Sequence, residues 1–384
     1  MAIAAYASDS PLDRRKWSRK SVFEMNNRVS FLRWGMAAKA KKQMGNPLKD
    51  IGVPIAVYDE LAEGREGARI RVPWVNRLTG AGKTANTALE GQEEAITFGY
   101  LDVIIDRLRH ATGYEGVMSA IRNQELSPDV AKDLLLNWMI QKREAGLWEA
   151  LIKRASAHLI SAGHYSATAH PNTFHYNKTD DELEIGALQQ GVHMFDTNVL
   201  DRIIEWYDDP DYPIPYVEIE GEELGLVVVH TKQMTTLRRD SRFFEIQKDT
   251  YKPGDKAHPL KQNAQFRYQN LLIYVSNRVF NGIQSGFSGY TAQHYAAVAL
   301  GPLAIGCANG GFPNGQTGTG NPGLGFDEYG NIAVKFVPSD DTDYENKVKW
   351  GIDAIWGDVR ADFVQEAGGA NKNQSSAVFW TLQQ

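Results

Sequence analysis

Cysteine is nearly absent from this chain: Cys307 stands alone among 384 residues, which excludes a disulfide within one copy and points to maturation in a reducing cytoplasm. A lone thiol in an apolar run reads as buried filler. Long hydrophobic runs are absent as well. The longest, residues 295–308, contains Gly301, Pro302 and Gly306, is too short to span a bilayer and reads as a buried strand. The opening MAIAAYASDSPLDRRKW places its apolar residues before its charges, the reverse of a secretory signal, so neither export nor a membrane partner is expected.

Catalytic signatures are missing too. There is no GxSxG, and Gly286-Phe-Ser-Gly289 is one residue too tight for a nucleophile elbow. Gly82-Lys83-Thr84 ends like a phosphate-binding loop, but Arg77 stands where its first glycine belongs. His158, His164, His170, His175 and His193 share one stretch, yet no two lie within five residues except at that limit, whereas helical zinc ligands sit one turn apart. Asp340, Asp341, Asp343 and Glu345 lie in SDDTDYEN, where Asn346 replaces the glycine of a calcium loop, so a turn with solvated acids is expected. Glu218, Glu220, Glu222 and Glu223 read as a solvated strand edge and turn. No catalytic, cofactor-binding or metal-ligating residue is therefore assigned, and no enzyme is expected. A soluble metal-dependent hydrolase built on the histidine stretch is the alternative.

Charge is unevenly spread. The chain carries a net charge of −6, yet its first 50 residues hold Arg14, Arg15, Lys16, Arg19, Lys20 and further cations against only Asp9, Asp13, Glu24 and Asp50. With Trp17, this cluster suits an arm that meets an acidic partner, either nucleic-acid phosphate or another subunit. Residues 18–42 interleave aromatic and basic side chains and are expected to be partly helical and docked. Residues 70–100 resemble an arm. Ile70, Val72 and Trp74 alternate with Arg69 and Arg71, with Arg77 on the basic face, the period of a half-buried strand that Pro73 confines to an edge. After a loop containing Lys83 come Glu90, Glu93 and Glu94, then Ile96, Phe98 and Tyr100 on one face, so copies can pair basic limb to acidic end.

Residues 101–109 mix apolar and charged side chains, and Gly113 and Gly116 interrupt any helix there. Ser127-Pro128-Asp129 is a helix start, and Val130, Leu134, Trp138, Met139, Leu147, Trp148, Leu151 and Ile152 carry helical spacing to about Ile160, softened at Gly146. A helix of about 30 residues would be roughly 45 Å long. Residues 196–208 form an amphipathic helix capped by Asp196 or Thr197. Residues 224–230 and 271–280 read as central strands with a helix over 235–247 between them, giving an α+β unit. Residues 309–330 are a Gly-rich loop, and strands follow over 331–337, 348–359 and 378–382.

The segment RVPWVNRLTGAGKTANTALEGQEEAITF resembles the strand, LTGxG loop, LEGxEE and strand order of major capsid proteins in the N-four-like phage family. Arg15-Lys16-Trp17-Ser18 and Gly351-Ile-Asp-Ala-Ile-Trp-Gly357 resemble its WS-plus-basic segment and GxxAIWG strand. The resemblance implies an α+β chain of the Hong Kong ninety-seven type capsid fold. Residues 1–65 would be a basic N-terminal arm and 66–100 the E-loop. Residues 101–190 would form a peripheral domain with its spine helix near 127–160, and 191–335 an axial domain with the loop 309–330. Residues 336–384 would return to the peripheral domain.

It further implies self-assembly as hexamers and pentamers into an icosahedral shell around double-stranded DNA, with assembly in the host cytoplasm and residence in the virion. Portal and scaffold or decoration proteins would be partners, and contact with DNA would be nonspecific. In the E-loop, Arg69, Arg71, Arg77, Glu90, Glu93 and Glu94 would contact neighbours, and Lys83 stands where relatives carry a crosslinking lysine. A virion accessory protein is the alternative within this class.

Overall fold

The computed structural model describes residues 28–39, 52–58, 68–75, 93, 98–115, 128–177, 182–184, 194–208, 214–250, 263–287, 290, 292–310, 334–342, 347–365, 373 and 375–382. In chain order they form α1 (Ser30–Arg33), β1 (Ala37–Lys39), β2 (Ile55–Tyr58), β3 (Arg69–Val75), β4 (Phe98–Ile104), β5 (Asp106–Glu115), α2 (Pro128–Lys153) and α3 (Ala157–Ser161). Next come β6 (Thr173–Asn177), β7 (Glu182–Glu184), α4 (Thr197–Tyr207), β8 (Val217–Ile219), β9 (Glu222–His230), α5 (Thr231–Arg238), α6 (Ser241–Thr250), β10 (Phe266–Tyr268) and β11 (Leu271–Ser276). The chain then adds α7 (Gly282–Ser285), β12 (His294–Leu300), β13 (Ile305–Asn309), β14 (Val334–Thr342), β15 (Lys347–Arg360), β16 (Val364–Gln365) and β17 (Ser376–Leu382).

Among the described residues the strands make three sheets. The largest runs β10-β11-β9-β12-β17-β6-β7, with β8 also on β9. The second runs β1-β2-β13-β15-β14, with β5 also on β15, and the third is β16-β4-β3. The unbroken apolar run of β9 follows from cover on both faces. Leu226 and Val228 point into a core shared with α2, while Val227 and Val229 point into a second core with Val199, Leu200 and Ile203 of α4 and Met234 and Leu237 of α5. A third core joins the far side of the six-stranded sheet, through Ala56, Ala308 and Val359, to Ile70, Val72, Leu101 and Val103 of the small sheet.

Several local expectations hold. Asp196 caps α4 by accepting from the Val199 amide at 3.3 Å. The acidic hairpin β8–β9 turns on Glu220 and Gly221, both at positive φ, with its glutamates exposed. Trp34 and Phe31 of the docked segment around α1 pack, with tilted rings, against Tyr274 of β11 and Trp148 of α2, at 5.1 and 4.8 Å.

Others are corrected. Residues 295–308 are not one strand: Gly301 and Pro302 split them into β12 and β13, which enter different sheets. Gly301 is required there, because a Cβ would lie 2.8 Å from the Pro215 carbonyl. Residues 101–109 divide between β4 and β5 at Ile105, and β5 continues through Gly113. The spine helix stops at Lys153 rather than Ile160, since Arg154 turns to φ 84°, and α3 follows separately. Gly146 does not soften it; a Cβ there would lie 3.3 Å from an Asp358 carboxylate oxygen, so glycine makes room for a buried charge. Val130 and Leu134 lie on the exposed side of α2, Leu134 at 56 %. The strand from Leu271 ends at Ser276, and the helix expected over 235–247 is two helices that turn at Asp240. Asp340 and Asp341 belong to β14 rather than to a turn. The Gly-rich loop lies outside the described residues except at its first two positions, Asn309 closing β13 and Gly310 behind it.

Gly357 is the tightest position. A Cβ there would lie 1.9 Å from the Ile104 carbonyl oxygen. Gly357→Ala is expected to cost about 3 kcal/mol or more by forcing the strands apart, whereas Gly52→Ala, which meets nothing within 4 Å, should be nearly neutral. Denaturant midpoints of the two variants measure the difference.

Candidate functional site

The small sheet holds the two strands expected to flank the arm. β3 and β4 pair antiparallel from Arg69↔Ile104 to Val75↔Phe98, and β3 forms the edge that Pro73 requires. Ile70 and Val72 are buried against the body, while Arg69 and Arg71 face outward. Both arginines meet Asp102 across the strand pair: Arg71 through two bonds of 2.8 and 2.9 Å, Arg69 at 3.4 Å. The Arg71 guanidinium also lies 3.8 Å from the centre of the Tyr100 ring. Two half-exposed cations thus share one carboxylate, and the outer face keeps a positive excess.

The body behind it is locked by a buried ion pair between α2 and β15 and by a second buried pair at the end of β15 whose arginine reaches the carbonyls at the end of α2. Arg143 of α2 pairs with Asp358, which also accepts from the Trp356 indole at 3.1 Å. Burial opposes the charge on Arg143, yet the Asp358 carboxylate holds its pKa above the ordinary value. Arg360 binds Asp362 through bonds of 2.9, 3.0 and 2.6 Å and donates to the Leu151 and Ala169 carbonyls at 3.0 and 3.3 Å. Asn373 donates to Asp362 at 2.9 Å. Glu144, also buried on α2, accepts from the Ser30 amide at 2.6 Å and so fixes the docked N-terminal segment.

A family model described as phage capsid protein matches residues 15–380. The chain belongs to the phage capsid protein family. It is 22 % identical over 286 residues to the major capsid protein of Pseudomonas phage KPP25, covering 69 % of this chain and 76 % of that one. Its fold resembles the capsid of Ralstonia phage GP4, with TM-score 0.64, 18 % identity and 91 % of each chain covered. It also resembles the capsid of Cyanophage Pam1, with TM-score 0.62, 13 % identity and coverage of 87 % and 89 %. The fold is the Hong Kong ninety-seven type, and the protein is a structural component of a phage capsid.

In this phage capsid protein the expected contact residues fall in two groups. Arg69 and Arg71 stand on β3 as described, and Glu93 is exposed. Arg77, Lys83, Glu90 and Glu94, with the arm residues Arg14, Arg15, Lys16, Trp17, Arg19 and Lys20, lie outside the described residues. Among the described residues the histidines do not converge. His158 donates from Nε2 to the Trp356 carbonyl at 3.0 Å, His164 lies 3.7 Å from Asp106, and buried His170 bonds Ser376 at 2.9 Å. Among the described residues no cluster of His, Cys, Asp and Glu could hold a metal ion. Burial, then the Asp358 charge, pushes the Cys307 thiol well up, so it stays protonated.

Asp102, Tyr165, Arg143, Asp358, Arg360 and Asp362 were missed as a set. The stretch Gly357-Asp-Val-Arg-Ala-Asp362 carried a signal, because it alternates charge with small or apolar residues in a strand otherwise destined for the interior.

Asp358→Ala should destabilise by about 3–5 kcal/mol, since it leaves Arg143 buried and unpaired. The double variant Arg143→Met/Asp358→Leu should cost clearly less, as equilibrium denaturation will measure. His170 adds a pH dependence: burial, reinforced by the Arg360 charge, lowers its pKa well below 6.5. The unfolded chain then binds a proton near pH 6.5 that the folded one refuses, so stability is complete above that pH and falls below it. His170→Asn should flatten the loss between about pH 6.5 and 5 in urea titrations.

Proposed function

We propose that copies of this chain assemble as hexamers and pentamers into the icosahedral shell of a tailed phage, enclosing double-stranded DNA, through arms that reach onto neighbours. The observation that carries the reading is the link between β3 and β4. The two strands pair in register at Val75↔Phe98, yet residues 76–97 lie between them, far more than the roughly two to five residues that close an ordinary hairpin. The surplus is the E-loop, and its contacts are Arg69, Arg71, Arg77 and Lys83 on one limb and Glu90, Glu93 and Glu94 on the other.

In this reading the eight-stranded sheet with α4 to α6 is the axial domain, so β6, β7 and β17, expected in the peripheral domain, join it, whereas β13, expected in the axial domain, joins the other large sheet. The six-stranded sheet with the spine helix α2 is the peripheral one. The basic residues from Arg14 to Lys20 strap neighbouring subunits or touch DNA without sequence preference, and the net negative charge keeps packaged DNA from sticking. The chain is structural rather than enzymatic and assembles in the host cytoplasm with portal and scaffold or decoration proteins, within the N-four-like group. Each exposed ion pair contributes at most about 1 kcal/mol, but a closed shell multiplies many such contacts.

Replacing Glu90, Glu93 and Glu94 together by lysine should leave a folded subunit, with an unchanged circular-dichroism spectrum, that forms no shells by light scattering. Normal shells from that variant would refute the E-loop as the contact.

A further inference from the structure

The arm root rests on a seat made of glycines. The Ile104 carbonyl occupies the space a Cβ at Gly357 would need, at 1.9 Å. Side chains of Val103 and Leu101 lie 3.1 and 3.2 Å from the corresponding point at Gly306, and Ile105 lies 2.8 Å from that at Gly310. Residues 101–105 therefore cross β13 and β15 at the places where those strands have no side chains. The Ile105 amide closes the root by donating to the Ala68 carbonyl at 2.9 Å.

A second feature holds the free edge of β4. Among the described residues β16 pairs with β4 only at Gly99 and Tyr100. Beyond that point the Tyr165 hydroxyl takes over, donating to the Asp102 carbonyl at 2.6 Å and accepting from the Ile104 amide at 3.2 Å. A single phenol thus serves both backbone groups that a neighbouring strand would have bonded. Tyr165 lies beyond α3, in the chain that follows the spine helix, and the Arg154 guanidinium sits 5.7 Å from its ring. Burial pushes its pKa up to about 12, so the proton it donates is retained at any physiological pH.

We propose that Tyr165, acting with the Gly357 seat, is a positioning residue for assembly: it fixes the direction in which the arm leaves the body before any neighbour is met. This rests on the arm being the subunit contact. A subunit whose arm already points correctly loses less freedom on joining a shell, and that saving is repeated at every copy. The fold itself does not need the hydroxyl, because Tyr165 packs at the margin of a core already formed by Leu159, Val103 and Val359.

The test uses the full chain and the mild variant Tyr165→Phe, which keeps the ring. Tyr207→Phe is the control, since its hydroxyl bonds the buried Leu300 carbonyl at 2.9 Å, away from the arm. Three quantities are read: the thermal midpoint, hydrogen exchange at the Ile104 amide, and the concentration at which light scattering first reports assembly. Tyr165→Phe should keep its midpoint within a few degrees, exchange at Ile104 about tenfold faster and need about tenfold more protein to assemble, about 1.4 kcal/mol. Tyr207→Phe should assemble at the parent threshold. Faster exchange with a parent-like threshold in Tyr165→Phe would overturn the positioning role, as would an equal threshold shift in both variants. The triple glutamate variant separates the two levels. If it forms normal shells, the arm reading falls; if it fails while Tyr165→Phe assembles normally, only the positioning role falls.

Discussion

The last carbonyls of a helix have no partners within it, and where the helix end is buried no water can serve them. At the end of α2 this need is met by Arg360, whose guanidinium reaches the Leu151 carbonyl while Asp362, oriented by Asn373, balances its charge. The backbone joins in: Arg360 donates its amide to the Arg154 carbonyl at 2.8 Å, and the Ser156 amide donates to the Asp358 carbonyl at 3.1 Å. Two turns back along α2, Arg143 and Asp358 repeat the link. Burying charges costs several kcal/mol each unless they are paired, so these pairs specify one relative placement of helix and strand rather than adding stability for its own sake. Much else follows from that placement, because α2 packs on both large sheets through the shared core.

One strand segment meets two different demands. On the even positions, Asp358, Arg360 and Asp362 engage the end of α2 and the chain beyond it. On the odd positions, Gly357, Val359 and Ala361 present a low surface to the arm root and α3. Strand alternation makes this division possible. On the proposed reading the arm leaves from a place whose geometry is tied to α2, and a shell built through arms would inherit that geometry at each contact. Loop residues meeting neighbours would contribute weakly one by one, so on that reading the direction of the arm matters as much as its chemistry.

Much of the local structure was legible in the sequence because its signals are short-range. The Pro128 start of α2, the Asp196 cap, the apolar run of β9 and the edge proline of β3 each carry their cause within a few residues. What could not be read depended on distant partners. Nothing local says that residues 295–308 divide between two sheets; Gly301 marks the break only once Pro215 and Ser375 are known to lie against it. The early end of α2 reflects Arg154 turning to bond β15, and the exposure of Val130 and Leu134 reflects a helix covered on all sides only in its second half. At the candidate site, Arg69 and Arg71 were legible as a basic face. Their shared partner Asp102, thirty-odd residues away, was not. The GxxAIWG ending was legible as a motif, and its last glycine is now explained by the Ile104 carbonyl.

On the proposed reading, copies of this chain are the subunits that form the shell. Negative-stain electron microscopy with light scattering, on the chain expressed by itself and together with its neighbouring genes, tests it most directly. Closed particles, tubes or capsomer rings are the predicted result. A monomer or dimer under every condition would contradict it.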